Sequence, residues 1–131
     1  MYFPSLQDVL MIQRAAIRKY GGSLGIRDLG LLESALFAPR HTMFGEELYP
    51  DMAAKCAILL YLLVENHPFV DGNKRTAFLS ALRFAELNGY TFKATQDALY
   101  DLTIGIASGQ LNKNAVTIWM QEHLRSLKNN R

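Results

Sequence analysis

The fold is governed by two strongly apolar segments, AAKCAILLYLLV at residues 53–64 and AFLSALRFAEL at residues 77–87. The first contains Lys55 as its only charged residue, and the second contains only Arg83 and Glu86. A helix that is apolar on nearly all sides is normally buried at the centre of a fold. Both segments are shorter than the roughly 20 residues that cross a bilayer. We therefore predict a buried central pair of helices and no membrane span.

The sequence on either side predicts four further helices and almost no strand. Each begins at a residue whose side chain can cap a helix. In chain order they run from Ser5 to Tyr20, from Asp28 to just before Pro39, from Thr95 to about Ser108, and from Asn112 or Asn114 through Leu124 to a polar tail at residues 128–131. Residues 39–50 fit neither a helical nor a strand period, and we interpret them as an ordered loop or a short hairpin. Residues 90–93 form a short extended connection.

The chain of 131 residues has the length of one globular domain, and we expect a single domain over residues 1–131. It is too short for an (α/β)8 barrel, which needs about 250 residues, or for a two-lobed kinase. The fold class is therefore all-α, with about six helices around the central pair.

Composition limits the partners and the location of the protein. The formal charge of +2 is too small to make nucleic acid the expected partner. Cys56 is the only cysteine, so it forms no internal disulfide, and its apolar neighbours predict a buried thiol. No secretory signal follows Met1, so we expect a cytoplasmic protein that does not bind membranes.

The two central helices are joined by ENHPFVDGNKR at residues 65–75, which concentrates polar groups between buried elements. The second helix begins near Asn73, and the first N–H groups of a helix have no partner within it. Its first turn carries Lys74 and Arg75, although acidic residues are favoured at that end of the helix dipole. An external anion would satisfy both the N–H groups and the cations. The junction therefore predicts a phosphate site.

Other residues of the junction fit the same interpretation. Asp71 supplies an oxygen ligand for Mg²⁺ beside the phosphate, and His67 is the side chain suited to accept a hydroxyl proton near neutral pH. Gly72 lets the main chain turn sharply and approach a ligand, while Phe69 can anchor the loop in the core. Lys74 provides a point charge and Arg75 a two-pronged donor.

A purely structural explanation exists for each of these residues taken singly. Asp71 could pair with an arginine, His67 could bond to a backbone carbonyl, and Lys74 could be solvated. The combination is harder to explain in this way, because a structural loop gains nothing by placing cations against a helix dipole.

Residues 67–75, HPFVDGNKR, resemble the motif of the Fic superfamily. The Asn-Lys-Arg ending resembles the death-on-curing (Doc) toxin branch, whereas the AMP-transferring branch ends in Gly-Asn-Gly-Arg. Residues 25–35, GIRDLGLLESA, also resemble the Doc branch, and the likeness extends from about Gly22 to the region of Trp119.

The resemblance implies an all-helical enzyme that uses ATP and Mg²⁺ to modify a protein hydroxyl. It implies that His67 is the general base, that Asp71 is involved in binding Mg²⁺, and that Lys74 and Arg75 complete the catalytic set. The nucleotide phosphates would be bound at Phe69, Gly72, Asn73, Lys74 and Arg75. Doc toxins transfer the γ-phosphate to a threonine of elongation factor Tu, so the resemblance predicts a protein Ser/Thr kinase that blocks translation.

Lysine at position 74 offers a physical reason why the Doc branch transfers a phosphoryl group where the other branch transfers AMP. Glycine there would leave room for a diphosphate along the helix start, whereas Lys74 fills the space and can hold a terminal phosphoryl group. Two alternatives stay open from sequence: an AMP- or other nucleotidyl-transferase with the same pocket, and a non-catalytic module that binds a partner.

The resemblance also implies protein partners. In Fic proteins a flap precedes the first central helix and aligns the target chain. Residues 39–50 occupy the corresponding place, where the alternative is an ordinary surface loop. No inhibitory helix is found in this chain, since Tyr61 stands where that motif needs a hydroxyl residue four positions before Glu65. A separate antitoxin protein is therefore expected.

Overall fold

A computed structural model describes residues 1–129 of the chain. This part contains six α-helices: α1 (Leu6–Tyr20), α2 (Leu29–Phe37), α3 (Met52–Glu65), α4 (Asn73–Leu87), α5 (Gln96–Ala107) and α6 (Lys113–His123). Single 3₁₀ turns lie at Ala38–Arg40 and Leu127–Asn129. Four strands of two or three residues complete it: β1 (Thr42–Met43), β2 (Glu46–Glu47), β3 (Tyr90–Phe92) and β4 (Leu124–Ser126). The predicted all-α class is confirmed.

The predicted central pair is also confirmed, because α3 packs against α4 and is surrounded by α2, α5 and α6. Leu59 and Leu60 of α3 and Phe84 of α4 are completely buried. Cys56 lies in the same core, and burial raises the pKa of its thiol. Within residues 1–129, no helix combines the length and the apolar character needed to cross a membrane.

Capping side chains determine where most of the helices begin. Ser5 and Asp8 form the predicted capping box at the start of α1, each side chain bonding to the other residue's backbone N–H. Asp28 caps α2 and Thr95 caps α5, as predicted. Of the two candidates for α6, Asn112 is the cap.

Residues 39–50 contain a short antiparallel hairpin, which confirms one of the two interpretations of this segment. β1 pairs with β2 through Thr42–Glu47 and Met43–Glu46, and the exposed Phe44 lies in the turn between them. The hairpin is tied to the core by Lys55 of α3. We find the Lys55 ammonium buried, where it donates to the carboxylate of Glu47 and to the carbonyls of Pro39 and Tyr49.

The last predicted helix ends before Leu124, so the prediction that Leu124 lies in this helix was wrong. Helix α6 stops at His123, and Leu124 begins β4, where it pairs with Phe92 of β3. Pairing with β3 provides hydrogen-bond partners that an isolated helix end would lack. Of the predicted polar tail, Asn130 and Arg131 lie outside the described residues.

Candidate active site

The junction between α3 and α4 lies on one side of a cavity of about 290 Å³. Of the seven predicted site residues, six line this cavity: His67, Asp71, Gly72, Asn73, Lys74 and Arg75. The remaining wall comes from the end of α1, the glycines that follow it, and α5. Segments distant in sequence therefore enclose the polar junction.

The start of α4 differs from that of the other five α-helices within residues 1–129, each of which begins at a residue whose side chain caps it. Helix α4 begins after Gly72, which has no side chain to offer and adopts a left-handed φ of 77°. Its first turn carries Lys74 and Arg75 and no acidic residue. A helix start with this composition favours an external anion over a protein cap.

The Arg75 guanidinium lies between two tyrosine rings. It is 3.8 Å from the ring centroid of Tyr20 at the end of α1 and 4.6 Å from that of Tyr100 in α5. Among the described residues, the only ion pair is Lys55–Glu47, so Asp71 does not form the pair with an arginine that a structural explanation required. The charge of Arg75 is stabilised by the faces of aromatic rings, which leaves its N–H edges available.

His67 is exposed at the cavity and has an unusual backbone conformation, with a positive φ of 47°. No hydrogen bond to its imidazole is found within residues 1–129, so the ring is not held by the backbone carbonyl that the structural explanation proposed. The main chain is held instead. Arg27 Nε donates to the carbonyl oxygen of His67 at 2.6 Å, and Arg27 Nη2 donates to that of Asn66 at 2.8 Å.

The segment that contains Arg27 pairs with the junction along its backbone. The N–H groups of Arg27 and Asp28 donate to the carbonyl of Pro68 at 2.7 and 3.1 Å. Val70 donates to the carbonyl of Gly25 at 3.0 Å, and an isolated antiparallel bridge joins Ile26 to Phe69. This pairing explains how two separate segments of the chain build a single site.

Asp71 is fixed at the cavity by contacts to the loop after α1. One carboxylate oxygen, Oδ2, accepts from the backbone N–H of Ser23 at 2.7 Å, and the buried amide of Gln13 donates to the Asp71 carbonyl at 3.2 Å. Gly22 lies against this side chain, since a Cβ at residue 22 would be 3.0 Å from Asp71 Cβ.

The single carboxylate of Asp71 suits Mg²⁺, which also takes ligands from phosphates and water, better than it suits a metal bound only by protein side chains. Within residues 1–129 there is no cluster of three or more His, Cys, Asp or Glu side chains that could surround a metal. Mg²⁺ is commonly held by one or two carboxylates together with substrate phosphates and water. Asp71, beside the start of α4, could supply such a carboxylate.

Two predicted phosphate contacts need correction. The Phe69 side chain is 1% exposed and packs in the core, so it cannot contact a nucleotide in the cavity. The Asn73 amide is also buried, and both its groups are used: its oxygen accepts from Phe69 N–H and its nitrogen donates to the Phe69 carbonyl, each at 2.9 Å. The Asn73 side chain therefore closes the loop, which leaves its backbone N–H for an anion.

Sequence reasoning missed four residues that shape the site: Gln13, Tyr20, Arg27 and Tyr100. In the sequence, Tyr20 marks only the end of the first predicted helix, and Arg27 lies in the stretch at residues 25–35 that resembles the Doc branch. Gln13 is 3% exposed, and a polar residue on the buried face of a helix signals a specific hydrogen bond. We find no comparable signal for Tyr100, whose position depends on how α5 packs.

Comparisons with a family model and with individual proteins all indicate the same family. The chain matches the model of the Fic/DOC family over residues 3–85. It is 45% identical over 78 residues to a protein named Toxin Doc from Mycolicibacterium smegmatis, with 60% of each chain covered, so the match spans about three fifths of that relative's length. It is 33% identical over 112 residues to Protein kinase doc of Escherichia phage P1, with 86% of this chain and 87% of the relative covered.

Proposed function

The chain belongs to the Fic/DOC family, and from this premise we propose that it is a Doc-like toxin that transfers the γ-phosphoryl group of ATP to a Ser or Thr hydroxyl of a protein. The names of two similar proteins, Toxin Doc and Protein kinase doc, support this proposal. We further propose that residues 1–131 form one catalytic domain.

One observation carries the proposal: α4 begins without a capping side chain, beside two cations, in a cavity that also holds His67 and Asp71. The N–H groups at this end, together with Lys74 and Arg75, suit the negative charge of a polyphosphate. Phosphoryl transfer depends mainly on positioning and on stabilising charge at the phosphate oxygens, and this region offers the donors for both.

In the proposed reaction, His67 accepts the proton of the target hydroxyl. The hydroxyl oxygen then forms a bond to the γ-phosphorus, and the bond between that phosphorus and the β,γ-bridging oxygen breaks, so that ADP leaves with the electron pair. The hydrogen bonds from Arg27 to the backbone of residues 66 and 67 would hold the base in place. Lys74 and Arg75 stabilise the negative charge on the transferred γ-phosphoryl group and on the β-phosphate of the departing ADP.

Asp71 is the residue proposed to hold Mg²⁺. Its Oδ2 atom is already bonded to Ser23 N–H, which fixes the carboxylate while its second oxygen remains for a ligand. The bound ion would supply positive charge to the phosphate oxygens.

The proposed target is elongation factor Tu, an inference from the resemblance to Doc toxins, and this target would lie in the cytoplasm. The hairpin β1–β2 is the proposed docking element for the target chain. We also propose that a separate antitoxin protein binds and inhibits this chain, which is consistent with the name of the mycobacterial relative.

The experiment is to incubate the purified chain with a bacterial lysate and ATP labelled at either the γ- or the α-phosphate. We expect label on a protein of the size of elongation factor Tu only from γ-labelled ATP, and its loss in the His67→Ala variant. The site should also need Lys74 and Arg75, so Lys74→Ala and Arg75→Ala should each reduce labelling at least about tenfold.

Two other outcomes would overturn the proposal. Label from α-labelled ATP alone means that the chain transfers a nucleotidyl group. Growth arrest that is undiminished in His67→Ala, at equal expression, means that toxicity comes from binding and not from catalysis by this residue. The exposed Tyr2→Ala, a substitution outside the cavity, serves as a control for effects of handling.

A further inference from the structure

We propose that Tyr20 and Tyr100 are positioning residues that orient the Arg75 guanidinium toward the phosphates of the bound nucleotide. The inference rests on the proposed function, because it assumes that Arg75 binds a phosphate. It adds two residues from outside the junction to the machinery of the site. Neither lies within the two motif stretches at residues 25–35 and 67–75.

The stack joins three helices at one point of the cavity. Tyr20 is the last residue of α1, Arg75 lies in the first turn of α4, and Tyr100 lies in α5. All three line the cavity. The guanidinium carbon is 3.8 Å from one ring centroid and 4.6 Å from the other, so both rings are in cation–π contact with it.

This arrangement constrains the arginine without using its hydrogen-bond donors. A ring in cation–π contact with a guanidinium is not a conventional hydrogen-bond acceptor, so the N–H groups of Arg75 remain for an oxygen acceptor. Within residues 1–129, no hydrogen bond or ion pair of the Arg75 side chain is found. An arginine loses considerable rotational freedom when it binds a ligand, and a side chain that is already held loses less. The stack therefore prepares Arg75 for a phosphate.

Packing alone does not account for the position of Tyr20. Its side chain is 48% exposed, so it contributes little to the core, and its other polar neighbour is the ammonium of Lys19 at 5.3 Å. Tyr100 has a second role, because its ring also meets Phe78 edge-on at 6.5 Å. Tyr20 is therefore the cleaner residue for a test, and Tyr100 is the supporting one.

The test measures the dissociation constant of the complex with Mg²⁺ and a non-hydrolysable ATP analogue by calorimetry, using the full chain. We expect Tyr20→Ala and Tyr100→Ala each to weaken binding about two- to fivefold, and the double variant about tenfold. Tyr20→Phe should bind like the unmodified chain, because it keeps the ring. In an Arg75→Ala background, Tyr20→Ala should cause no further loss.

A second measurement is independent of any ligand. Rings stacked on a guanidinium shift the proton resonances of the arginine side chain upfield. We expect Tyr20→Ala to move the Arg75 resonances toward ordinary arginine positions, whereas Tyr20→Phe and the remote Tyr2→Ala should leave them in place. Far-ultraviolet circular dichroism checks that each variant is folded.

The inference is overturned if Tyr20→Ala binds the analogue as tightly as the unmodified chain, or if it weakens binding equally in the Arg75→Ala background. The second result would mean that the ring contacts the nucleotide directly. If Arg75→Ala itself leaves binding unchanged, or if the unmodified chain binds no nucleotide, the proposed function fails together with the inference. Loss of the tyrosine effect alone, with Arg75 still required, leaves the proposed function standing.

Discussion

Arg27 holds the backbone of His67, although 39 residues separate them in the chain. Its Nε lies 2.6 Å from the His67 carbonyl oxygen, in the loop where His67 adopts a φ of 47°. A positive φ is strained for a residue with a side chain and persists where surrounding contacts enforce it. The position of the proposed base thus depends on a residue outside the junction.

Replacing Arg27 should loosen this loop. We expect Arg27→Met to lower the free energy of unfolding by about 1 to 2 kcal/mol, because two hydrogen bonds are lost at an exposed position. The N–H of Val70, which bonds to the Gly25 carbonyl, should exchange with solvent faster. Hydrogen exchange followed by mass spectrometry checks this. Arg27→Lys keeps the charge but not the two-pronged donor, so its exchange rate should lie between those of the unmodified chain and Arg27→Met. If the exchange rate is unchanged in Arg27→Met, Arg27 does not hold this loop.

Asn73 should matter more for stability than for binding. In Asn73→Ala the N–H and carbonyl of the buried Phe69 lose their partners, so we expect unfolding free energy to fall by about 2 to 4 kcal/mol in urea titrations. Lys74→Ala, at the neighbouring and partly exposed position, should change stability by less than about 0.5 kcal/mol. Similar stability losses in the two variants would argue against this assignment.

The two glycines after α1 should respond differently to substitution. Both have positive φ, but a Cβ at Gly21 would contact nothing within 4 Å, whereas at Gly22 it would contact Asp71. Gly21→Ala should therefore lose about 1 to 3 kcal/mol through backbone strain alone, because its φ of 87° and ψ of 177° are adopted almost only by glycine. Gly22→Ala should also displace the Asp71 carboxylate and weaken the Mg²⁺ dependence of nucleotide binding. Urea unfolding measures the loss of stability, and calorimetry with and without Mg²⁺ measures the Mg²⁺ dependence of nucleotide binding. If the two variants show the same Mg²⁺ dependence, Gly22 does not position the Asp71 carboxylate.

Lys55 should anchor the hairpin. Lys55→Met removes the donor to two backbone carbonyls, so we expect a loss of about 2 to 4 kcal/mol and faster proteolytic cleavage at residues 42–47. Glu47→Gln is the matched control, because it keeps an oxygen that accepts from the ammonium and leaves both carbonyl contacts intact, so its loss of stability should be smaller than that of Lys55→Met. If the hairpin of Lys55→Met resists proteolysis as well as that of the unmodified chain, contacts other than those of Lys55 hold the hairpin.

Asp8 should give a small acid dependence of stability. Its carboxylate accepts the backbone N–H of Ser5, which holds its pKa below the ordinary value. A lowered pKa in the folded state stabilises the fold above the ordinary value, and this contribution is lost as pH falls through the lowered one. Because solvent screens this largely exposed carboxylate, the difference in unfolding free energy between the unmodified chain and Asp8→Asn should be below about 1 kcal/mol at pH 7, and it should shrink steadily as the pH falls below the ordinary pKa of an aspartate. Urea titrations across this range test it, and a difference that grows in acid would contradict it.

Local patterns were sufficient to predict most of the secondary structure. The capping residues Ser5, Asp28 and Thr95 begin helices because a side chain that satisfies a free N–H acts within three residues of itself. The same locality explains the error at Leu124. Leu124 begins strand β4 and does not continue helix α6, because it pairs with Phe92, which is distant in the chain.

Composition and spacing within residues 53–87 are enough to predict the central helix pair and the residues of the polar junction. How these groups are used depends on the packing of segments that are distant in the chain. The tertiary structure assigned the Asn73 amide to Phe69, the Asp71 carboxylate to Ser23, and the Arg75 guanidinium to two tyrosine rings. Hydrogen bonds and ring contacts act over a few ångströms, so their partners are known only once packing has brought distant segments together.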